Sequence, residues 1–273
     1  MIFVFNYIKI ISEEGDELKL FVVSDIHGYY DILIEYLRKA GFEDNNPSQL
    51  LICCGDYWDR GKQPVEVMKY LMSLTNVVLV RGNHEDLMID MLKRGTPLRH
   101  DISNGTQTTF LQLSSEIKNP VRSLEREVEN YIKPFYNKML DFYETKNYIF
   151  VHGWIPVKEE FENDTFLSTI KKVYDPDWRN ASAAEWYDSR WYNGMKLARE
   201  GIIEPNKTIV CGHYHCAWGY QRDILLRGSL KDLEEFQNNP IWLPYKDTGI
   251  IAIDRCTAST KEMNILVLED EIL

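Results

Sequence analysis

Residues 18–28 read LKLFVVSDIHG, and this stretch decides the fold. Its first half consists mainly of residues that suit a pleated surface, which predicts a strand. Asp25 and His27 follow the strand directly, and a helix is predicted from Tyr30 to Ala40 because apolar residues recur there at helical spacing. Gly41 is placed to end that helix. The chain therefore leaves a strand, passes polar residues and enters a helix.

The same order of strand, polar loop and helix occurs twice more. Residues 50–61 hold an apolar strand followed by GDYWDRG, and residues 76–85 hold a strand followed by RGNHE. Later strands at 148–151 and 208–211 end in His-Gly and Gly-His. This alternation is typical of an α/β sheet, in which ligands bind at the carboxyl ends of the strands. We therefore expect the polar ends to lie close together.

Two segments differ from this alternation and are interpreted as helical insertions within a single domain spanning residues 1–273. They cover about 95–146 and 159–200, and the second is rich in Trp and Tyr. Its aromatic residues are expected either to line a substrate groove or to form the core of a small subdomain. Residues 1–8 are apolar and predict a further strand, because Phe, Val, Ile and Tyr are common in sheets.

Composition limits the classes of function. The net charge of −11 argues against general nucleic-acid binding, which needs a cationic surface, but it leaves a small anionic substrate open. The five cysteines match no zinc ribbon or disulfide pattern, so reduced thiols in a cytoplasmic protein are expected. No stretch has the length and apolarity of a membrane span, and the N-terminus lacks the features of a signal peptide.

The predicted strand ends carry the residue types of a metal centre. Carboxylate, imidazole and amide oxygen donors suit a pair of divalent cations. An aspartate can bridge two cations when its two oxygens face different ions. Two cations held about 4 Å apart can clamp a phosphate for in-line attack. The ordered set of polar strand ends therefore points to phosphate chemistry.

Three blocks carry a resemblance to a known family. DIHG at residues 25–28, GDYWDRG at 55–61 and RGNHE at 81–85 resemble, in the same order, the signature blocks of the PPP-type serine/threonine protein phosphatases. These enzymes belong to the calcineurin-like metallophosphoesterase superfamily. The resemblance extends more loosely through His152-Gly153 and Gly212-His213. It implies a four-layer α/β/β/α sandwich with a mixed central sheet.

The resemblance also implies a role for each matching position. Two divalent metal ions are expected, Mn in the first place and Fe or Zn otherwise. Their implied ligands are Asp25, His27, Asp56, Asn83, His152 and His213, with Asp56 bridging. His84 would donate a proton to the leaving oxygen while Asp59 orients it, and Arg60 would bind the phosphate. A hydroxide bridging the two metals would attack phosphorus directly.

Two positions remain open where the sequence departs from the family. His215 follows Gly212-His213-Tyr214, as in the Gly-His-x-His of the wider superfamily, so it either joins the metal ligands or only lines the site. A second phosphate-binding arginine is expected between His152 and His213. Arg190 is the first candidate and Arg179 the second, and each could instead be a surface arginine.

The predicted function is hydrolysis of phosphate monoesters, in the first place phosphoserine and phosphothreonine. The alternative within the same superfamily is a hydrolase of dinucleoside polyphosphates, such as diadenosine tetraphosphate, or of nucleotides. A module that binds metal or phosphate without turnover is a third hypothesis, and the presence of His84, Asp59 and Asp56 argues against it. The expected partner is a phosphorylated protein or a small phosphoester, with no membrane and no general nucleic-acid binding.

Overall fold

The computed structural model describes residues 18–118, 120–164 and 167–272. The strand predicted at residues 1–8 lies outside these residues. The described strands are β1 Leu18–Val23, β2 Gln49–Cys54, β3 Val77–Val80, β4 Tyr143–Glu144, β5 Tyr148–Phe150, β6 Val157–Asp164, β7 Leu167–Tyr174, β8 Thr208–Cys211, β9 Tyr245–Asp247, β10 Ile250–Ala252 and β11 Leu266–Asp270. The described α-helices are α1 Tyr30–Ala40, α2 Pro64–Ser73, α3 Asn83–Arg94, α4 Arg99–Asn104, α5 Thr106–Ser115, α6 Leu124–Tyr136, α7 Ala183–Ser189, α8 Gly194–Arg199, α9 Cys216–Arg227, α10 Leu230–Asn238 and α11 Thr257–Thr260.

Two mixed sheets form the centre of the molecule. The first has the order β11-β1-β2-β3, with β1, β2 and β3 parallel and β11 antiparallel to β1. The second has the order β4-β5-β8-β10-β9, with β5, β8 and β10 parallel and an antiparallel strand at each edge. Helices α1 and α2 provide the crossovers that parallel neighbours in the first sheet require.

The alternating side chains of β2 show how the layers stack. Leu51 and Cys53 pack into the core beneath the helices, whereas Leu50, Ile52 and Cys54 pack into the core between the two sheets. Strands β5 and β8 of the second sheet contribute to that same inter-sheet core, and further helices cover the opposite face of this sheet. The predicted four-layer α/β/β/α arrangement is confirmed, with two mixed sheets in its centre where one was expected.

The prediction that the second insertion is helical throughout is wrong. The segment 159–200 was expected to be helical, but it opens with the hairpin of β6 and β7, and its α-helices begin only at Ala183. The register places Glu159 opposite Lys172 and Glu160 opposite Lys171. Oppositely charged residues that face one another across two strands favour a hairpin. A search for apolar residues at helical spacing does not detect such pairs. The first insertion, 95–146, contains α4, α5 and α6.

The helices carry no membrane-spanning segment in the part of the chain that the structure describes. None of them combines the length and the apolar composition that crossing a bilayer requires.

Candidate metal centre

The loops that leave the strands hold an unusual backbone conformation. Six of the predicted site residues have positive φ angles between 50° and 71°: Asp25, His27, Asp56, Asp59, Arg60 and His213. Non-glycine residues rarely adopt this region, and each such residue costs about 1–3 kcal/mol. The surrounding structure must therefore hold these loops firmly, which is common where side chains are arranged for function.

His27 anchors a first group of candidate ligand atoms. Its Nδ1 donates a hydrogen bond to the carbonyl oxygen of Trp58 at 2.9 Å. Its Nε2 lies 3.9 Å from Asp25 Oδ1 and 3.7 Å from Asp56 Oδ2. Burial, followed by repulsion from His84 and Arg60, holds the pKa of His27 well below its usual value. A neutral imidazole with a free Nε2 lone pair is the form that binds a metal ion.

His152 anchors a second group. Its Nδ1 donates to the carbonyl oxygen of Cys54 at 2.8 Å, and its Nε2 lies 2.8 Å from Asn83 Oδ1. Three candidate ligand atoms lie within 4.8 Å of one another, one each from Asp56, His152 and His213. Burial lowers the pKa of both His152 and His213. These two imidazoles are therefore also neutral and suited to metal binding.

The carboxylate of Asp56 joins the two groups. Its Oδ2 faces His27, whereas its Oδ1 lies 3.3 Å from His152 Nε2. The side chain is 2 % exposed, and burial raises its pKa well above the usual value. A buried carboxylate is costly unless positive charge compensates it. Oxygen and nitrogen donors on both sides of this carboxylate fit two divalent cations, which would supply that charge.

His84 differs from His27, His152 and His213. Its Nδ1 donates to Asp59 Oδ2 at 2.7 Å, and Thr106 Oγ1 donates to the same oxygen at 2.7 Å. Burial alone lowers the pKa of His84, but the carboxylates of Asp56 and Asp59 outweigh burial, so the pKa is raised. Its Nε2 lies among the atoms of the first group, 3.7 Å from Asp56 Oδ2. A protonated imidazole has no lone pair for a metal, so this geometry suits a proton donor.

Glu85 is a positioning residue that sequence reasoning missed. Its Oε2 accepts hydrogen bonds from the backbone N–H groups of Asp56 and Gly82 at 3.0 and 2.9 Å, and its Oε1 accepts from Tyr57 at 2.9 Å. Burial raises the pKa of this carboxyl to about 7. It ties the loop after β2 to the start of α3. RGNHE contains Glu85, but only the fold shows that its side chain reaches the neighbouring loop.

Gly82 allows the two loops to approach one another. A Cβ atom built at this position would lie 2.2 Å from Asp56 Oδ1 and 2.4 Å from the Asp56 backbone nitrogen. Any side chain here would displace the carboxylate that joins the two groups. The glycine of RGNHE is therefore required by the packing of Asp56, independently of its own backbone angles.

The three candidate arginines have different surroundings. Arg60 is exposed, and its guanidinium nitrogen lies 3.4 Å from His84 Nε2. Arg190 is buried, with its guanidinium bound to Asp86 at 2.6 Å and Asp141 at 2.9 Å. Its positive charge contributes to the lowered pKa of His152, after burial. Arg179 binds Glu144 and Glu204, and within the described residues none of its ion pairs involves a predicted site residue.

His215 lies beside the two groups of ligand atoms, and neither group includes it. Its Nε2 is 3.7 Å from Asp254 Oδ2. A hydrogen bond with Cys256 is the largest cause that raises its pKa, to about 9. The His215 ring also lies 6.0 Å from the ring of Trp242.

The Trp/Tyr-rich stretch of the second insertion is largely core. Trp178 is 0 % exposed and Trp186 is 3 % exposed, and their rings pack with Phe142. Trp191 differs, because it is 40 % exposed and its ring lies edge-on to His213 at 5.9 Å. Of the two interpretations left open by the sequence, the subdomain core therefore describes Trp178 and Trp186.

The chain is similar to one protein-family model and to several known proteins. A family model described as calcineurin-like phosphoesterase matches residues 18–217. A bis(5'-nucleosyl)-tetraphosphatase of Bacillus velezensis is 36% identical over 101 residues, which is 34% of this chain and 39% of that protein. The serine/threonine-protein phosphatase 2 of Salmonella typhimurium is 38% identical over 71 residues, covering 26% and 31%. The match thus spans less than half the length of these curated relatives.

Among solved structures, a putative diadenosine tetraphosphatase aligns over 94% of this chain and 96% of its own, with 13% identity and a TM-score of 0.45. The family model covers most of the described chain, including all five strand ends that carry predicted ligands. The chain belongs to the calcineurin-like phosphoesterase family.

Proposed function

We propose that this chain hydrolyses phosphate esters with the help of two divalent cations held by the two groups that share Asp56. The observation that carries the proposal is the placement of the Asp56 carboxylate, with Oδ2 towards His27 and Oδ1 towards His152. Bound at these groups, two divalent cations would neutralise phosphate charge and lower the pKa of a water molecule that serves as nucleophile. Mn is the proposed metal, with Fe or Zn as alternatives, because oxygen and imidazole donors do not select among them.

The chain's own residues supply the remaining steps. His84 holds a proton on Nε2 and delivers it to the leaving oxygen, while Asp59 fixes the ring by accepting from Nδ1 at 2.7 Å. Arg60 offers its guanidinium fork to the phosphate oxygens beside His84. Arg190 keeps its proposed role at the phosphate, acting from its position next to the second group. His215 is proposed to line the site.

Two substrate classes remain candidates. The signature blocks favour phosphoserine and phosphothreonine, whereas the Bacillus velezensis relative is named for dinucleoside tetraphosphates. The two groups of ligand atoms act on the phosphate that both substrate classes share. Residues outside these groups must therefore determine which substrate class is preferred. The cytoplasm is the proposed compartment, in keeping with five cysteines that are all unpaired.

A substrate panel tests the proposed function. The protein is supplied with Mn and offered phosphoserine and phosphothreonine peptides, dinucleoside polyphosphates, nucleotides and phosphodiesters, and kcat/KM is compared. We expect metal-dependent release of phosphate or of a nucleotide from at least one class. A preparation of Asp56→Asn, purified in parallel, controls for contaminating phosphatases. Equal rates in the two preparations, or no turnover at all, would overturn the proposal.

A further inference from the structure

A pocket of about 510 Å³ opens beside the second group of ligand atoms. Its walls are formed by the loop 213–215, helices α9 and α10 and the segment 240–242. Small-molecule sites in proteins range from about 300 to 1,000 Å³, so the pocket has room for a ligand larger than a phosphate ion. None of the predicted aromatic residues of the second insertion lines it.

The walls combine aromatic rings with amide side chains. Tyr214, Trp218 and Trp242 contribute the rings, and the Tyr214 and Trp218 rings meet edge-on at 6.4 Å. Gln221 and Gln237 contribute amides, each of which can donate and accept hydrogen bonds. No Asp, Glu, Lys or Arg lines the pocket, although the chain carries a net charge of −11, and apart from the imidazoles of His213 and His215 its lining side chains are uncharged. These uncharged side chains suit a flat, uncharged group with a polar edge.

His213 connects the pocket to the candidate metal centre. It lines the pocket, its ring contacts Tyr214 at 4.9 Å, and it shares the second group with Asp56 and His152. A ligand seated in the pocket therefore lies next to the place where a phosphate would be held. The charged and the uncharged parts of one substrate molecule would then occupy adjacent sites of different chemistry.

We propose that this pocket binds the base of a nucleoside phosphate and so selects nucleotides or dinucleoside polyphosphates as substrates. The inference rests on the proposed function for the neighbouring phosphate chemistry. A base stacks on indole and phenol rings, and its edge offers several donors and acceptors to Gln221 and Gln237. The ring of a phosphotyrosine could stack equally well, but it has no polar edge for the two amides.

The first test compares substrates with and without a base. Trp242→Ala should raise KM for a dinucleoside tetraphosphate about tenfold, because stacking on one aromatic ring contributes roughly that factor. KM and kcat for phosphoserine should stay unchanged. Trp242→Phe keeps an aromatic ring and should restore KM. Leu243→Ala, a change at the exposed neighbour of Trp242 that does not line the pocket, is the matched control.

A second variant covers the case in which Trp242→Ala does not fold. Gln237 is exposed on α10, so Gln237→Leu should leave the fold intact. It removes one hydrogen-bonding partner of the base and should raise KM for the dinucleoside substrate about fivefold. Unchanged KM in every folded pocket variant would overturn the inference. An increase confined to a phosphotyrosine peptide would overturn it as well.

Binding of adenosine separates this inference from the proposed function. Isothermal titration calorimetry with adenosine needs no turnover, and the affinity should fall about tenfold in Trp242→Ala. If the wild-type protein binds adenosine through Trp242 but hydrolyses no phosphate ester, the proposed function fails and the pocket assignment stands. If phosphate esters are hydrolysed but adenosine does not bind, or binds both proteins equally, the pocket assignment fails alone.

Discussion

The two sheets contribute differently to the candidate metal centre. The loops after β1 and β2 supply Asp25, Asp56 and Asp59, which are all the carboxylates of the predicted site, and the start of α3 after β3 supplies His84. The second sheet supplies the imidazoles His152 and His213 from the ends of β5 and β8. The first sheet therefore carries the negative charge and the proton donor, and the second completes a ligand group that Asp56 begins.

Backbone geometry follows the same division. Five predicted site residues on the first sheet have positive φ angles, whereas His213 is the predicted site residue on the second sheet that has one. Glu85 holds the first-sheet loops together through three backbone hydrogen bonds. Conformational strain is thus concentrated where a buried carboxylate must face two groups at once. This difference between the two sheets predicts that substitutions at site residues of the first sheet reduce activity more than those of the second sheet.

Replacing the shared carboxylate should have the largest effect. Asp56→Asn removes the negative charge that the two groups share and replaces one of the two metal-binding oxygens with an amide nitrogen, so both ions should be lost. Activity should fall by about four orders of magnitude, because each of the two lost cations contributes several kcal/mol of transition-state stabilisation. Elemental analysis measures the metal content, and the turnover rate measures the activity. Asp188→Asn, at an exposed aspartate, should leave both unchanged, and an Asp56→Asn protein that retained two ions would contradict the bridging role.

Removal of the proton donor should affect turnover and spare the metals. His84→Ala should lower kcat for an alkyl phosphate by about 10²–10⁴-fold, because the leaving alkoxide then receives no proton. The loss should be smaller for p-nitrophenyl phosphate, whose leaving group departs without protonation. Metal content should equal that of the wild-type protein. A variant with normal kcat for the alkyl phosphate would show that His84 is not the acid.

A substitution on the second sheet should separate the two metal ions. His152→Ala removes a ligand of the second group and leaves His27 and Asp25 in place. The affinity for one ion should fall more than the roughly 10–100-fold that loss of a ligand's supporting partner costs. Titration with Mn followed by elemental analysis should find one ion retained. Loss of both ions at once would mean that the two sheets do not contribute separately.

The contact between the sheets away from the metal centre should affect stability with little effect on turnover. Asp270 on β11 accepts hydrogen bonds from Thr145 Oγ1 and from the backbone and side-chain nitrogens of Asn147, at 2.6–2.8 Å. Asp270→Ala leaves the buried Thr145 hydroxyl without this acceptor and removes two hydrogen bonds from the exposed Asn147, so it should lower the free energy of unfolding by about 2 kcal/mol. Urea unfolding at pH 7 measures the change, with the exposed neighbour Glu269 replaced by Ala as control.

The same pair of proteins gives a pH dependence. Burial alone raises the pKa of Asp270, but the hydrogen bonds from Thr145 and Asn147 outweigh burial, so the folded-state pKa is lowered. A lowered carboxyl pKa stabilises the fold above the unfolded-state value of about 4 and loses that contribution as the pH falls through the folded-state value. The difference in stability between wild type and Asp270→Ala should therefore shrink towards pH 3. A constant difference would contradict this account of Asp270.

The first sheet was also the more predictable region. Its three parallel strands end in long signature blocks, and the structure brings Asp25, His27, Asp56 and Asn83 close together. The second sheet carries only two-residue signals at His152 and His213, because its strands are separated by long insertions. The hairpin of β6 and β7 was missed, since its cross-strand charge pairs have no periodicity along the chain.

The aromatic residues show what sequence alone could not provide. Trp178 and Trp186 lie in a conspicuous aromatic stretch, yet they are buried core. The pocket rings at Tyr214, Trp218 and Trp242 come from a loop, a helix and a second loop, and no local pattern connects them. Their proximity follows from how α9 and α10 pack. The phosphate chemistry was therefore visible in the sequence, whereas the pocket beside it required the fold.

Electron paramagnetic resonance of the Mn-loaded protein tests the central claim most directly. If Asp56 bridges two ions, the wild-type protein should bind two Mn per chain, and the spectrum should show the exchange coupling of neighbouring ions. A six-line spectrum of isolated Mn with one ion per chain would contradict a centre built on a shared carboxylate.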